Sequence, residues 1–262
     1  MLVFSAICPH PPILIPGIGK ENLSKIEKTK QSMEMLKKGL DQANPDTIII
    51  ISPHGEINRH AFSINTNQEY RARFENFGDF KTELHFKSDL EFINTLKGLD
   101  EVNMPIHLVS ENNLDHGSSV PLYYLNNQNE KARIVPITYS FLGYDKHLQF
   151  GRLIKEAASS LNKKYAIIAS GDLSHRLTKQ APAGFSPKAK EFDKKLIQLL
   201  KKKNTEGILN LDKTMIEEAA ECGLRSILIL LGAIANMNYE FEVLSYESPF
   251  GVGYLVGEFK FS

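Results

Sequence analysis

Leu2-Val3-Phe4-Ser5-Ala6-Ile7-Cys8-Pro9-His10-Pro11-Pro12 and Thr47-Ile48-Ile49-Ile50-Ile51-Ser52-Pro53-His54-Gly55 are the two stretches that decide the fold. In each, an apolar run of strand length (Leu2 to Ile7, Thr47 to Ile51) ends in a proline turn that carries a histidine. A third run, Tyr165 to Ala169, ends in Ser170-Gly171-Asp172-Leu173-Ser174-His175. In an open α/β sheet, ligands gather outside the carboxyl ends of the strands. Three strands that each deliver a histidine there predict one site at one sheet edge. The prolines restrict the backbone beside His10 and His54, which gives each ring a rigid support.

Outward from these strands, helix-like and strand-like segments alternate. Glu21 to Ala43 places Leu23, Ile26, Met33, Leu36 and Leu40 near helical spacing, and Pro45 follows as a stop. Short strands are expected around Ala61 to Asn65, Thr82 to Phe86 and Ile106 to Val109, with a helix at Ser88 to Lys97. A helix from near Ser118, strand Arg133 to Tyr139 and helix Asp145 to Leu161 come next. Helices at Pro187 to Lys202 and Leu224 to Asn236 precede two last strands, Tyr239 to Glu247 and Gly253 to Phe261. The alternation predicts an α/β fold with a mostly parallel central sheet flanked by helices on both faces. No low-complexity linker and no internal repeat interrupts it, so residues 1–262 read as a single domain.

Lysine plus arginine equals aspartate plus glutamate at 31 each, so no global field favours nucleic acid or an anionic membrane. The two cysteines, Cys8 and Cys222, make no disulfide framework and fit a reducing cytoplasm. The longest apolar run, Ile227 to Ala235, is too short to span a bilayer, and a signal peptide is not expected. The expected protein is cytoplasmic.

Neutral imidazole is a ligand for iron, zinc and copper, which makes His10 and His54 a candidate metal pair. A third ligand is sought in Glu217-Glu218-Ala219-Ala220-Glu221-Cys222-Gly223. Glu221 would complete the two-histidine, one-carboxylate set of non-haem Fe(II) sites. Cys222 as thiolate would instead suit zinc or redox behaviour. His175 has the ordinary pKa for proton transfer near neutrality, with Asp172 or Ser174 to orient it. His116, in Asp115-His116-Gly117 before a helix, either donates to a bound oxyanion or serves as a cap. His60, His85, His107 and His147 read as surface or packing residues. No G-x-S-x-G elbow supports a serine hydrolase, and the glycine pairs match neither nucleotide-binding pattern.

In chain order, Pro9-His10-Pro11-Pro12, Ser52-Pro53-His54, the Asp115-to-Leu122 segment, Ser170-to-His175 and Glu221-Cys222-Gly223-Leu224-Arg225-Ser226 resemble class III extradiol ring-cleavage dioxygenases of the LigB type. They are closest to the LigB-like and Memo-like proteins of the AmmeMemoRadiSam group. The resemblance runs from Cys8 to about Gly257. It implies His10 and His54 as iron ligands, Glu221 as the carboxylate ligand or Cys222 as an alternative, His175 as the catalytic histidine and His116 as an active-site residue. It implies Fe(II), with zinc or another divalent metal as alternatives, and a small aromatic substrate with O2. It further implies a homo-oligomer, and AMMECR1 and radical-SAM proteins as partners. A Memo-like metal or redox protein without ring cleavage is the other activity that the resemblance allows.

Overall fold

The computed structural model describes residues 1–99, 104–126 and 132–262. Its strands are β1 (Leu2–Cys8), β2 (Thr47–Ser52), β3 (Phe62–Asn65), β4 (Glu69–Phe74), β5 (Asp79–Lys87), β6 (Ile106–Val109), β7 (Arg133–Thr138), β8 (Tyr165–Ser170), β9 (Tyr239–Glu247) and β10 (Tyr254–Phe261). Its helices are α1 (Pro16–Gly19), α2 (Glu27–Ala43), α3 (Leu90–Leu99), α4 (His116–Leu125), α5 (Tyr144–Ser160), α6 (Pro187–Lys201), α7 (Thr205–Leu209), α8 (Lys213–Ala219) and α9 (Leu224–Ala233).

Eight strands form one sheet in the order β6-β3-β7-β2-β8-β1-β10-β9. The centre, β7-β2-β8-β1, is parallel throughout. Antiparallel pairing enters where β3 meets β7 and through β10 and β9. The apolar runs of β2 and β8 read as continuous because both faces of these strands are covered. Ile49 and Ile51 point into one apolar cluster with α3, α5, α6 and α9, while Ile48 and Ile50 point into another with α2 and α4. Tyr165, Ile167 and Ala169 of β8 divide from Ala166 and Ile168 in the same way. The strand period of two therefore feeds two cores, one on each side of the sheet.

The structure differs from expectation at several elements. The long helix before β2 starts only at Glu27, after a 3-10 segment, Lys20–Ile26. Helix α3 starts at Leu90, where the Asp89 carboxylate accepts the Phe92 N–H at 3.1 Å. Helix α9 ends at Ala233, before Asn236. Strand β4, unexpected, pairs with β5 as a two-stranded ribbon outside the main sheet. Its alternation was readable in hindsight: Glu69, Arg71 and Arg73 are exposed, Tyr70, Ala72 and Phe74 buried. No helix among the described residues is long and apolar enough to cross a membrane.

The consequence for the site lies in the strand order. β8 sits between β1 and β2, so the turns carrying His10 and His54 flank the end of the strand that leads to Asp172 and His175. The connection from β1 to β2 passes over a strand that arrives more than a hundred residues later in the chain. Such a switch point is where open sheets leave a crevice.

Candidate metal centre

His10 is buried and its ring is held from both sides. Ser170, the last residue of β8, donates its hydroxyl to the Gly117 carbonyl at 2.5 Å, which leaves its oxygen free to accept from His10 Nδ1 at 2.9 Å. That network assigns the proton to Nδ1 and turns the Nε2 lone pair outward. The His10 backbone N–H donates to Asp172 Oδ1 at 3.0 Å, which ties the β1 turn to the β8 turn.

His54 faces it. The two Nε2 atoms are 3.0 Å apart and the rings meet nearly at right angles. His54 is fixed through its backbone: its N–H donates to Ser52 Oγ at 3.2 Å, and Ser52 donates to Asp115. Asp115 in turn caps α4, accepting the Ser118 N–H at 3.1 Å. Burial first, and then the neighbouring histidines, hold His10 well below the ordinary imidazole pKa. His54 is pushed down to about 4 by desolvation and by His116, with Asp115 opposing. Both rings are therefore neutral at physiological pH, which is the ligating form.

Of the two candidates for third ligand, the structure turns one toward the pair and the other away. Cys222 Sγ lies 3.7 Å from His10 Nε2, and the donor atoms of His10, His54 and Cys222 all lie within 4.8 Å of one another. Glu221 is directed to the start of α9, where its Oε2 accepts the Leu224 N–H at 2.6 Å. Burial pushes the Glu221 carboxyl up to about 7 and the Cys222 thiol well above its usual value, and Asp172 adds to the second effect. A nearby cation is what would favour the thiolate.

The segments at 172 and 222 are strapped together. Cys222 N–H donates to the Asp172 carbonyl and the Asp172 N–H donates to Cys222 Sγ, each at 3.3 Å. Gly171 and Gly223 touch backbone to backbone, and a Cβ on Gly171 would land on the Gly223 Cα.

His175, on the same loop, is half-buried, and its Nε2 lies 3.9 Å from Asp172 Oδ2. Of the two residues expected to orient it, Asp172 faces the ring, while Ser174 Oγ donates to the Ala219 carbonyl at 3.1 Å. Burial lowers the His175 pKa, and the Ala220 and Leu173 carbonyls oppose this. Burial also raises Asp172 to about 7. His116 stacks on His54 with centroids 4.2 Å apart, and Phe77 meets the His116 ring edge-on at 5.3 Å. A cavity of about 350 Å³ opens beside His54 and Asp115, lined also by Asn65, Glu111 and Thr138.

The remaining histidines lie elsewhere: His60 and His85 are exposed, His107 meets Glu56 at 3.3 Å, and His147 is on the buried face of α5. Sequence reasoning missed the supporting role of Ser170, although it lies inside a quoted motif. It also missed Phe77, which no motif marks.

Comparisons with known proteins bear on the family and the fold. Residues 5–257 match the family model described as the catalytic LigB subunit of aromatic ring-opening dioxygenase. A protein of Clostridium acetobutylicum is 36% identical over 258 residues, 95% of this chain, but the chain spans only 55% of that relative's length. A 3,4-dihydroxyphenylacetate 2,3-dioxygenase of Escherichia coli is 26% identical over 76% of the chain and 78% of its own length. A MEMO1 family protein of Methanocaldococcus jannaschii is 24% identical over 86% of the chain and 72% of its own. The crystal structure of an uncharacterized protein of Escherichia coli K12 superposes with a TM-score of 0.68 at 15% identity, covering 98% of this chain and 99% of that one. On a family match that takes in nearly every residue from the first strand to the last, the chain belongs to the LigB family.

Proposed function

We propose that the chain holds a divalent metal, ferrous iron in the first instance, on His10, His54 and the Glu221-Cys222 segment, and opens a catechol-type aromatic ring with O2. The observation that carries this reading is the His10–His54 contact, with Nε2 atoms 3.0 Å apart and the His10 proton assigned to Nδ1. Two nitrogens each ~2.1 Å from one ion and at right angles to each other stand about 3 Å apart, so the pair fits a shared cation. When bound, iron would supply open coordination positions and offset the charge of an ionised catechol.

The chain's own residues supply the rest. His175, kept neutral by burial, accepts a catechol hydroxyl proton at Nε2 and returns it as the ring opens. Asp172 faces the imidazolium that forms between these steps. The rings of His54, His116 and Phe77 offer aromatic surface against which a substrate ring can pack. Both atoms of O2 enter the product, so no further reductant is consumed.

One observation favours a second reading. Cys222, and not the Glu221 carboxylate, faces the imidazoles. Thiolate ligation suits a Memo-like metal or redox protein that does not cleave rings and that acts with AMMECR1 and radical-SAM partners. Anaerobic purification, metal analysis and oxygen uptake with a panel of catechols separate the two. About one iron per chain, with uptake abolished in His175→Ala but iron retained, supports ring opening. Tight zinc or copper, and no uptake by the iron-reconstituted protein, supports the second reading.

A further inference from the structure

Asp193 lies on the buried face of α6 among Ala189, Phe192, Leu196 and Leu200. A carboxylate there is costly to bury, and no cation lies within ion-pair distance of it among the described residues. Two hydrogen bonds offset that cost. Oδ1 accepts the Ser174 backbone N–H at 2.9 Å, and Oδ2 accepts the Tyr246 hydroxyl at 2.6 Å. The approach is open because position 253 is glycine: a Cβ there would collide with Asp193 Oδ2.

Three elements thus meet at one carboxylate: α6, the loop between β8 and α6, and β9. The residue it grips is the immediate neighbour of His175. Its other anchors are the Ser174 hydroxyl on the Ala219 carbonyl at 3.1 Å and backbone contacts, from His175 N–H to the Ala219 carbonyl at 2.9 Å and from Gly253 N–H to the Ser174 carbonyl at 2.8 Å. Asp193 is the side chain that holds the Ser174 N–H.

We infer that Asp193, tethered by Tyr246, is a positioning residue: it fixes the Ser174 N–H and thereby holds the His175 imidazole beside Asp172. This rests on the reading of His175 as the acid/base group. Asp193 touches neither metal ligand nor substrate, so its loss should spare metal binding and damage proton transfer. A misplaced acid/base group costs roughly 10- to 100-fold in rate.

The test uses the full chain in four forms: wild type, Asp193→Ala, Asp193→Asn and Tyr246→Phe. With ferrous protein and a catechol substrate, Asp193→Ala should lower kcat about 10- to 100-fold, with KM and iron content changed less than about 3-fold. Asp193→Asn keeps an acceptor for the Ser174 N–H and a polar contact for Tyr246, so it should recover most of the loss. Tyr246→Phe removes one hydroxyl from a partly exposed ring, is the variant least able to disturb folding, and should show a smaller loss of the same kind.

A readout independent of turnover is the nitrogen chemical shifts of His175 in metal-free, histidine-labelled protein, assigned with His175→Ala. They should move in Asp193→Ala and Tyr246→Phe and return in Asp193→Asn. Unchanged shifts in folded Tyr246→Phe and Asp193→Ala would overturn the inference. A wild type that consumes no oxygen with any catechol indicts the proposed reaction, and the shifts then decide on Asp193 alone.

Discussion

Cys222 and Glu221 are neighbours in the chain, yet the turn into α9 sends their side chains in different directions. Ala220 closes α8 in the left-handed region, at φ 51° and ψ 46°, and Glu221 then reaches forward to the Leu224 N–H while Cys222 faces His10. On this geometry Cys222→Ala should weaken metal binding at least ~10-fold, whereas Glu221→Gln, which keeps the acceptor at Leu224, should change it less than about 3-fold. Metal titration of the two variants checks this, and equal losses would make Glu221 a ligand alongside Cys222.

His147 offers a second test at the same scale. Its nitrogens face the Gly143 and Ser140 carbonyls at 2.9 and 3.0 Å, but burial outweighs both and lowers its pKa to about 4. The folded pKa lies below the ordinary value of 6.5, so between pH 6.5 and 4 the unfolded chain binds more protons. The stability contributed by the neutral ring is therefore complete above pH 6.5 and lost as pH falls through that window. Urea unfolding of His147→Gln should have a shallower acid dependence than wild type, by at most about 1.4 kcal/mol per pH unit. Parallel curves would contradict the burial of a neutral ring.

Elements build the site through their ends. Each of β1, β2 and β8 contributes a turn; His10 N–H to Asp172 ties the first to the third, and Ser170 to Gly117 and Ser52 to Asp115 tie the ends of β8 and β2 to the start of α4. The β8 turn and the α9 turn meet at Gly171 and Gly223 without room for a side chain. Gly171→Ala forces them apart and should cost about 1–3 kcal/mol of stability, with metal affinity lowered because Asp172 and Cys222 separate. Denaturant midpoints and metal content of the variant are the measurements. A Gly171→Ala protein with wild-type values for both would show that the contact does not set the site.

At the scale of the molecule, β10 pairs with β1 and carries β9 at the sheet edge. The last two strands therefore cover one side of the strand that leads to His10. A chain ended at Met237 exposes β1 as an edge strand and strips Phe241, Leu255 and Phe259 from one core. Such a chain should not give a cooperatively unfolding monomer by size exclusion and thermal melting, and a sharp melt from a monomeric peak would refute this.

Local information was enough for the strand runs of β1, β2 and β8, for the helices with an apolar stripe, and for the histidines that follow the strands. Each depends on residues close in sequence: a run of isoleucines buries itself on both faces, and a proline after it ends the strand. The identities of the LigB motifs belong to the same level. The directions of the Cys222 and Glu221 side chains, the tautomer of His10, the contacts of Asp193 and the position of β8 between β1 and β2 were decided only in the fold. Each of these depends on a contact between segments far apart in the chain, such as Ser170 against His10 or Asp193 against Ser174. Hydrogen-bond partners at that separation leave no periodic trace in a single sequence. They follow from strand order, which the two-sided burial of the sheet allows but does not dictate.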